Sequence, residues 1–170
     1  GTERVKKIVS GLKGFSHIDE GTEAVVDINT EIDRTLNVLT HEIPEGTEII
    51  KDYHPLPGFK CNPALVCQVF LNILLNAIQA RKLTLKLLIS TGYNNSRIVV
   101  RFSDNGRGIP EEIRSRIFEP FYTTKDVGKG TGMGLTAAYE TITAYGGTIE
   151  VESRPEEGAT FTITLPVKRE

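Results

Sequence analysis

The chain has 170 residues, of which 39% are hydrophobic and 25% charged, and its formal net charge is −2. This composition is typical of a globular domain and excludes a disordered or fibrous chain. The near-neutral charge argues against a nucleic-acid partner, and no stretch reaches the ~18 apolar residues of a membrane span, so no membrane contact is expected. Cys61 and Cys67 are expected to be free, buried thiols in a reducing cytoplasmic compartment.

The first residue is Gly rather than Met, which predicts that this sequence is a piece of a longer protein. Residues 2–16 place apolar side chains on one face at helical spacing, and a polar stretch follows them. An isolated helix of this length is marginal in water, so its apolar face is expected to pack on a partner helix. The expected division is a terminal helix and linker over residues 1–20 and one domain over residues 21–170.

Hydrophobic periodicity and turn residues predict the remaining elements. Helices are predicted over 28–43, 63–80 and 135–145, the first capped by Asn29 or Thr30 and the second by Asn62. Strands are predicted near 48–53, 83–91, 97–104, 148–153 and 160–166. Because strands and helices do not alternate strictly, the expected fold is α+β, a sandwich with strands in one layer and helices in the other.

Regular patterning disappears between Asn105 and Thr131. Compact domains seldom hold so much irregular chain unless it is a lid or a binding loop. The sequence therefore predicts a lid over a binding site in this segment.

The helix predicted over 63–80 carries an uncharged polar stripe. Its members lie within an arc of about 80° on the helix and are Gln68, Asn72, Asn76 and Gln79. Amide oxygens one turn apart suit a hard cation that keeps most of its waters. Amides that cap strand edges are the alternative, and the pattern alone leaves both open.

Asp104 ends a strand in which Ile98, Val100 and Phe102 share its parity, so its carboxylate is expected to point inward. Glycines at 106 and 108 open the backbone into a pocket there. An exocyclic amine such as that of adenine would satisfy such a carboxylate. The alternative is a turn in which Asp104 accepts from the amides of its own loop.

Four glycines alternate just before the last predicted helix, at positions 128, 130, 132 and 134. Free backbone amides at a helix N-terminus form a site for phosphate oxygens, and Lys125 and Lys129 add positive charge. The spacing matches neither a dinucleotide-binding fingerprint nor a Walker loop. A flexible linker is the alternative interpretation.

Together these segments describe a nucleotide site, and four of them resemble the N, G1, F and G2 boxes of bacterial sensor histidine kinases. The strings are 68–77, 104–109, 118–125 and 128–135, and residues 158–162 are similar to the final glycine-containing box of that family. The ends of the first and third strings look most like kinases of the nitrogen-regulation type. The resemblance implies a Bergerat-type two-layer sandwich, with a mixed sheet, helices on one face and a long ATP lid.

The resemblance also implies ATP and Mg²⁺ as ligands. Asn76 would bind Mg²⁺ and Asn72 would support it, which makes these two the implied catalytic residues. Asp104 would accept from the adenine amine. The other implied ATP contacts are Gly106, Gly108, Ile109, Gly130, Thr131, Gly132, Met133, Gly134, Leu135 and Thr160, and the implied lid anchors are Phe118 and Phe121. Gln79 stands where many members carry a phosphate-contacting Lys, and Lys125 and Lys129 are the candidates to replace it.

The implied activity is transfer of the ATP γ-phosphate to a His on a dimerisation domain, followed by relay to an Asp of a response-regulator receiver domain. The full-length protein is expected to be a homodimer. His41 precedes Glu42 as in the acceptor motif, but too few residues separate it from Asn76 to hold the rest of an acceptor domain. His17 and His54 lie in predicted loops, and residues 2–16 resemble instead the end of the second dimerisation helix of the family. The acceptor is therefore expected outside this sequence.

Two rival functions share the same fold class. In ATPases like gyrase, HSP90 and MutL, a Glu four residues before the Mg²⁺ asparagine acts as general base, whereas Asn72 cannot take a proton at neutral pH. A module that senses ATP without phosphotransfer is the other alternative.

Overall fold

The computed structural model describes residues 22–114, 116–119 and 134–167. Its elements are β1 (Ala24–Val26), α1 (Ile28–Val38), β2 (Glu48–Asp52), β3 (Phe59–Cys61), α2 (Pro63–Gln79), β4 (Lys86–Asn94), β5 (Arg97–Asp104), α3 (Glu111–Arg114), α4 (Gly134–Ala144), β6 (Thr148–Ser153) and β7 (Ala159–Pro166). No helix within these ranges is long and apolar enough to cross a membrane. The helix predicted over residues 2–16, and with it the division near residue 20, lies outside the described residues.

Five strands form a mixed sheet in the order β2-β4-β5-β7-β6. The β2–β4 pair is parallel and the other three pairs are antiparallel, while β1 and β3 form a separate antiparallel pair. Alternate residues of β5 and β7 are buried, and they join α1, α2 and α4 in one hydrophobic core. The predicted α+β arrangement, with helices on one face of a mixed sheet, is confirmed.

The central helix α2 begins where the sequence predicted. The Asn62 side chain accepts from the Ala64 N–H at 3.0 Å, and Pro63 occupies the first turn, where its missing N–H costs nothing. The helix runs to Gln79 with Ala80 as its C-cap. Ten of its side chains are buried, which fixes its orientation on the sheet.

The helix α1 is shorter than predicted, because it ends at Val38 rather than at residue 43. Its N-cap is Asp27, which accepts from the Asn29 N–H at 2.9 Å, so the caps predicted at Asn29 and Thr30 are wrong. The apolar spacing continues past the helix because Leu39 and Ile43 still pack on the core from the following turn.

Strand boundaries differ most at β4, which was predicted over 83–91 and spans Lys86–Asn94. The hairpin turn is confined to Asn95 and Ser96, whose φ angles of 53° and 60° suit a two-residue connection between twisted strands. The elements β1, β3 and α3 were not predicted, because three or four residues are too few to establish a period.

The two cysteines are free and buried, as predicted. Burial raises the pKa of both thiols to about 12. The Cys67 thiol also donates to the buried Glu31 carboxylate at 3.0 Å, which ties α2 to α1. Neither thiol is placed for chemistry.

Candidate functional site

The Asp104 carboxylate lies at the end of β5 on the side of the sheet that carries the helices. Its Oδ1 accepts from the Gly106 N–H at 2.8 Å, and a second hydrogen bond comes from the backbone of Ala159. Burial raises the pKa of Asp104, and the two backbone hydrogen bonds partly oppose that rise. The inward orientation of the side chain is confirmed, and the hydrogen bond to its own turn is present as well. Contact with an adenine amine stays a prediction.

Glycine is required at both 106 and 108. A Cβ on Gly106 would lie 2.6 Å from the Ala80 carbonyl oxygen and 2.9 Å from Asp104 Oδ1. Gly108 has a φ of +73°, and a Cβ there would collide with the backbone carbonyl of Arg154. The loop after Asp104 therefore lies directly against the end of α2 and against the turn between β6 and β7.

Side-chain hydrogen bonds hold both ends of this loop. At its start, Asn105 accepts from the Lys86 N–H at 2.8 Å and donates to the Thr84 carbonyl at 3.0 Å. At its end, the Ile109 N–H donates to the Ser153 hydroxyl at 2.7 Å. The loop thus has a defined position on the sheet before any ligand binds.

The polar stripe of α2 passes above this loop. Asn72, Asn76 and Gln79 are half-buried, whereas Gln68 is exposed. Asn76 precedes Ala80 by one helical turn, and the Ala80 carbonyl accepts from the Arg107 N–H at 2.9 Å. The C-terminal half of the stripe and the Asp104 loop are therefore neighbours.

The direction of α4 brings its N-terminus to the same region. The Asn62 N–H at the start of α2 donates to the hydroxyl of Tyr145, directly after α4, at 2.9 Å. Because the two helices also pack on each other, they run antiparallel. With 11 residues in α4 and 17 in α2, and a rise of about 1.5 Å per residue, Gly134 lies level with the second half of α2.

Several predicted contacts fall outside the described residues. These are Lys125, Lys129, Gly130, Thr131, Gly132 and Met133, together with the lid anchor Phe121. Leu135 is described, and it packs against the core from the first turn of α4. Phe118 is also described: its ring stacks on Tyr139 with centroids 5.7 Å apart, and its carbonyl accepts from the Thr136 hydroxyl at 2.8 Å. Phe118, which lies within the predicted lid segment, is thus attached to α4.

Thr160 is not brought to the site. On β7 the inward positions are Ala159, Phe161 and alternate residues beyond them, so Thr160 points away from the helices. Its hydroxyl instead pairs with that of Ser103 at 2.9 Å. The backbone of Ala159, directly opposite Asp104 in the sheet, makes a hydrogen bond to the Asp104 carboxylate instead.

Sequence reasoning missed Ala159 and Ser153. The signal for Ala159 was available, because alternation counted back from Phe161 puts residue 159 on the inner face. No local pattern could have indicated Ser153, whose partners lie far away along the chain or across a turn.

The histidines of the described part of the chain lie apart from this region. His41 is exposed in the turn after α1, which is not a helical acceptor site. His54 is also exposed, and its Nδ1 lies 2.7 Å from the Thr91 carbonyl oxygen.

A sequence profile described as histidine kinase-, DNA gyrase B-, and HSP90-like ATPase matches residues 61–169, more than half of the chain. The chain belongs to this family. The matched segment contains α2, the Asp104 loop and α4, and membership of an ATPase family implies the use of ATP. The resemblance predicted from the sequence is therefore confirmed.

Similar proteins include named histidine kinases. The signal transduction histidine-protein kinase AtoS of Escherichia coli K12 is 34% identical over 97% of this chain and 27% of its own length. The sensor histidine kinase ZraS of the same strain is 32% identical over 97% of this chain and 36% of its own. The chain thus spans about a third or less of these relatives. The likeness of this chain to kinases of the nitrogen-regulation type is not tested by these matches and stays a prediction.

Solved structures confirm the fold. The catalytic domain of histidine kinase ThkA, crystallised without nucleotide, superposes with a TM-score of 0.76 at 26% identity, covering 86% of this chain and 99% of that one. Full-length ShkA in complex with AMPPNP gives a TM-score of 0.77 at 26% identity, over 88% of this chain and 32% of ShkA. The neighbours are therefore histidine kinase catalytic domains.

Proposed function

We propose that residues 21–170 are the ATP-binding catalytic domain of a sensor histidine kinase. The observation that carries this proposal is the inward carboxylate of Asp104, held over a loop of required glycines beside the amide-bearing half of α2. A carboxylate in this setting selects a donor, and adenine offers one in its exocyclic amine. Family membership and the named relatives support ATP as the ligand.

The base is proposed to bind beside the polar stripe of α2 and against the Asp104 loop. Gly106 and Gly108 let the loop pack directly on Ala80 and Arg154, which fixes the position of the loop. Asp104 accepts from the amine, and Ile109 adds apolar contact. The half-buried position of Ile109 against the core supports that last role. Thr160 is left out of this proposal, because its side chain points to the other face of the sheet.

The phosphates are proposed to lie along α2 towards the N-terminus of α4. Asn76 and Asn72 present neutral amides there, and residues 130–135 with Lys125 and Lys129 are the candidates for the phosphate contacts. Within residues 22–114, 116–119 and 134–167 no group of three or more His, Cys, Asp or Glu side chains could hold a metal. Amide oxygens combined with phosphate oxygens fit Mg²⁺, which when bound would neutralise phosphate charge next to Asn76.

The reaction is proposed to be phosphoryl transfer to an imidazole. A ring nitrogen of a His on a dimerisation domain attacks the γ-phosphorus, a P–N bond forms, and the bond to the β,γ-bridging oxygen breaks as ADP leaves. The residues of this chain orient the phosphates for in-line attack and supply no nucleophile. The phosphoryl group then passes to an Asp of a response-regulator receiver domain. We place the reaction in the cytoplasm, where free thiols such as Cys61 and Cys67 persist, within a homodimeric parent protein.

Hydrolysis by the same fold is the rival function, and position 72 argues against it. A hydrolase needs a base for the attacking water, and the Asn72 amide cannot accept a proton at neutral pH.

The test follows the fate of γ-labelled ATP incubated with Mg²⁺ and this chain alone, with nucleotide binding measured in the same sample. We expect bound nucleotide, little free phosphate and little label on the protein, because the acceptor is absent. Sustained phosphate release would identify an ATPase instead. Label retained on the chain would mean that one of its own histidines is an acceptor.

A further inference from the structure

Ser153 occupies an unusual position at the end of β6. It is 9% exposed, and its hydroxyl makes two short hydrogen bonds. It donates to the Gly158 carbonyl at 2.7 Å and accepts from the Ile109 N–H at 2.7 Å. One buried side chain thus satisfies two backbone groups that belong to different segments.

Both segments border Asp104. Gly158 is so close to the Asp104 carbonyl that a Cβ would overlap it, and the next residue, Ala159, donates its N–H to the Asp104 carboxylate. Ile109 ends the loop whose Gly106 N–H donates to the same carboxylate. The Ser153 hydroxyl therefore links the two backbone segments that fix where the carboxylate points.

The same residue also contacts the helix α3. The Ser153 carbonyl accepts from Arg114 Nη1 at 2.7 Å, which holds α3 against the strand. A backbone hydrogen bond from Glu156 to Arg107 provides a second link between the turn and the loop. This link should hold the Asp104 loop and the turn between β6 and β7 together when the Ser153 hydroxyl is removed. Loss of the hydroxyl should therefore shift the Asp104 carboxylate rather than unfold the domain.

We propose that Ser153 is a positioning residue for base recognition, which sets the Asp104 carboxylate by joining Ile109 to Gly158. This inference rests on the proposed function, because it assumes that Asp104 reads the adenine amine. Ser153 itself touches no nucleotide. Its effect must therefore appear in the discrimination between bases rather than in binding alone.

Inosine triphosphate is the probe that separates these two effects. It presents a carbonyl oxygen where ATP presents the amine, so Asp104 favours ATP and repels the analogue. A site built around a buried hydrogen bond discriminates strongly only while its geometry is held. The ratio of the two affinities therefore reports the placement of the carboxylate.

The experiment measures the affinity of the full chain for ATP and for inosine triphosphate with Mg²⁺ by calorimetry. For Ser153→Ala we expect the preference for ATP to fall about tenfold, because a displaced Asp104 carboxylate makes a weaker hydrogen bond to the adenine amine, and hydrogen bonds to charged groups are the stronger class. Ser153→Cys keeps the side-chain shape but weakens both bonds, so it should change the preference in the same direction. Ser153→Thr keeps the hydroxyl and should retain most of the preference.

Ser103→Ala is the matched control. It removes another strand hydroxyl of the same sheet, but one that pairs with Thr160 on the opposite face. We expect it to leave the preference unchanged. Thermal unfolding of each variant checks that the domain is folded.

Two results would overturn the proposal: an unchanged preference in both Ser153→Ala and Ser153→Cys, or equal weakening of both nucleotides, which is the sign of a general structural role. A native chain that binds neither nucleotide, or binds both equally, would instead contradict the proposed function. The two failures are therefore distinguishable.

Discussion

The two ends of α2 differ in how they contact the rest of the domain. At the N-terminal end, Asn62 caps the helix and donates to Tyr145, and Cys67 donates to the buried Glu31. At the C-terminal end the amides of Asn76 and Gln79 stay half-exposed. One helix thus anchors the domain at its start and offers a binding surface at its end.

This difference explains why a single helix can carry both roles. The N-terminal contacts fix the rotation of α2, and that rotation determines which face its later residues present. Changes at the C-terminal end should therefore alter nucleotide binding with little effect on folding, and changes at the N-terminal end should do the reverse.

The largest effect is expected from Gly108→Ala in the loop below the C-terminal end. The new Cβ would collide with the Arg154 carbonyl and would sit on a left-handed backbone. The loop must move, and we expect ATP affinity to fall by about 100-fold. Gly46→Ala is the control, because its φ of +85° imposes the same backbone strain with nothing within 4 Å. Equal ATP binding by both variants would contradict the required approach of this loop.

Asp104→Asn should come next. The replacement keeps the size but loses the charge that strengthens the bond to the adenine amine, so we expect ATP affinity to fall about 10-fold to 100-fold with the fold intact. Asp33→Asn provides the control, since that half-exposed carboxylate pairs with Lys51 at 2.8 Å and with the Tyr53 hydroxyl at 3.0 Å, away from Asp104. Unchanged affinity in the Asp104 variant would remove the base-recognition claim.

Asn76→Ala tests the phosphate side of the same end. It removes the proposed protein ligand of Mg²⁺, so we expect the gain in ATP affinity on adding Mg²⁺ to shrink about tenfold, roughly the worth of one such contact. Gln68→Ala removes an exposed amide two turns earlier on the same stripe and should leave the gain intact. Titrations of ATP with Mg²⁺ and with a chelator measure this gain in affinity. The same Mg²⁺ dependence in native and Asn76→Ala chains would refute the assignment.

Cys67→Ala at the N-terminal end should leave ATP affinity unchanged. It should instead cost about 1–3 kcal/mol of unfolding free energy at neutral pH, because Glu31 loses a buried donor. A loss of ATP affinity without a loss of stability would contradict the conclusion that the N-terminal end of α2 serves folding rather than nucleotide binding.

The same variant has a defined pH signature. The thiol pKa is raised from 9.0 to about 12 in the folded chain, so the protonated thiol stabilises the fold fully below pH 9. That stabilisation is lost as the pH rises towards 12, because the unfolded chain releases the proton first. Denaturant titrations from pH 8 to pH 11 should show a shallower decline for Cys67→Ala than for the native chain.

Local sequence patterns predicted several features of the fold and of the candidate site. The cap and length of α2, the inward parity of Asp104 and the glycines after it follow from spacing alone, because each depends on neighbours in the chain. The end of α1 could not be predicted in the same way, since Leu39 is buried and Ile43 packs against the core after the helix has ended. Buried residues continued at helical spacing beyond the last helical residue, so their spacing did not show where the helix ends.

Motif matching did not predict the orientation of Thr160 or the contacts of Ser153. The likeness of residues 158–162 to a family box suggested a role for Thr160, but strand alternation turns that side chain to the other face. Ser153 belongs to no box, and it acts through partners at Ile109 and Gly158 that only the folded chain brings together. Contacts of this kind depend on sheet register, which a single sequence does not specify.

A crystal structure of this chain with AMPPNP and Mg²⁺ would show whether Asp104 binds adenine while Asn76 faces the phosphates. We expect the exocyclic amine within hydrogen-bonding distance of Asp104, and the metal bound by Asn76 and phosphate oxygens. A base bound away from Asp104, or a metal held without Asn76, would refute these assignments.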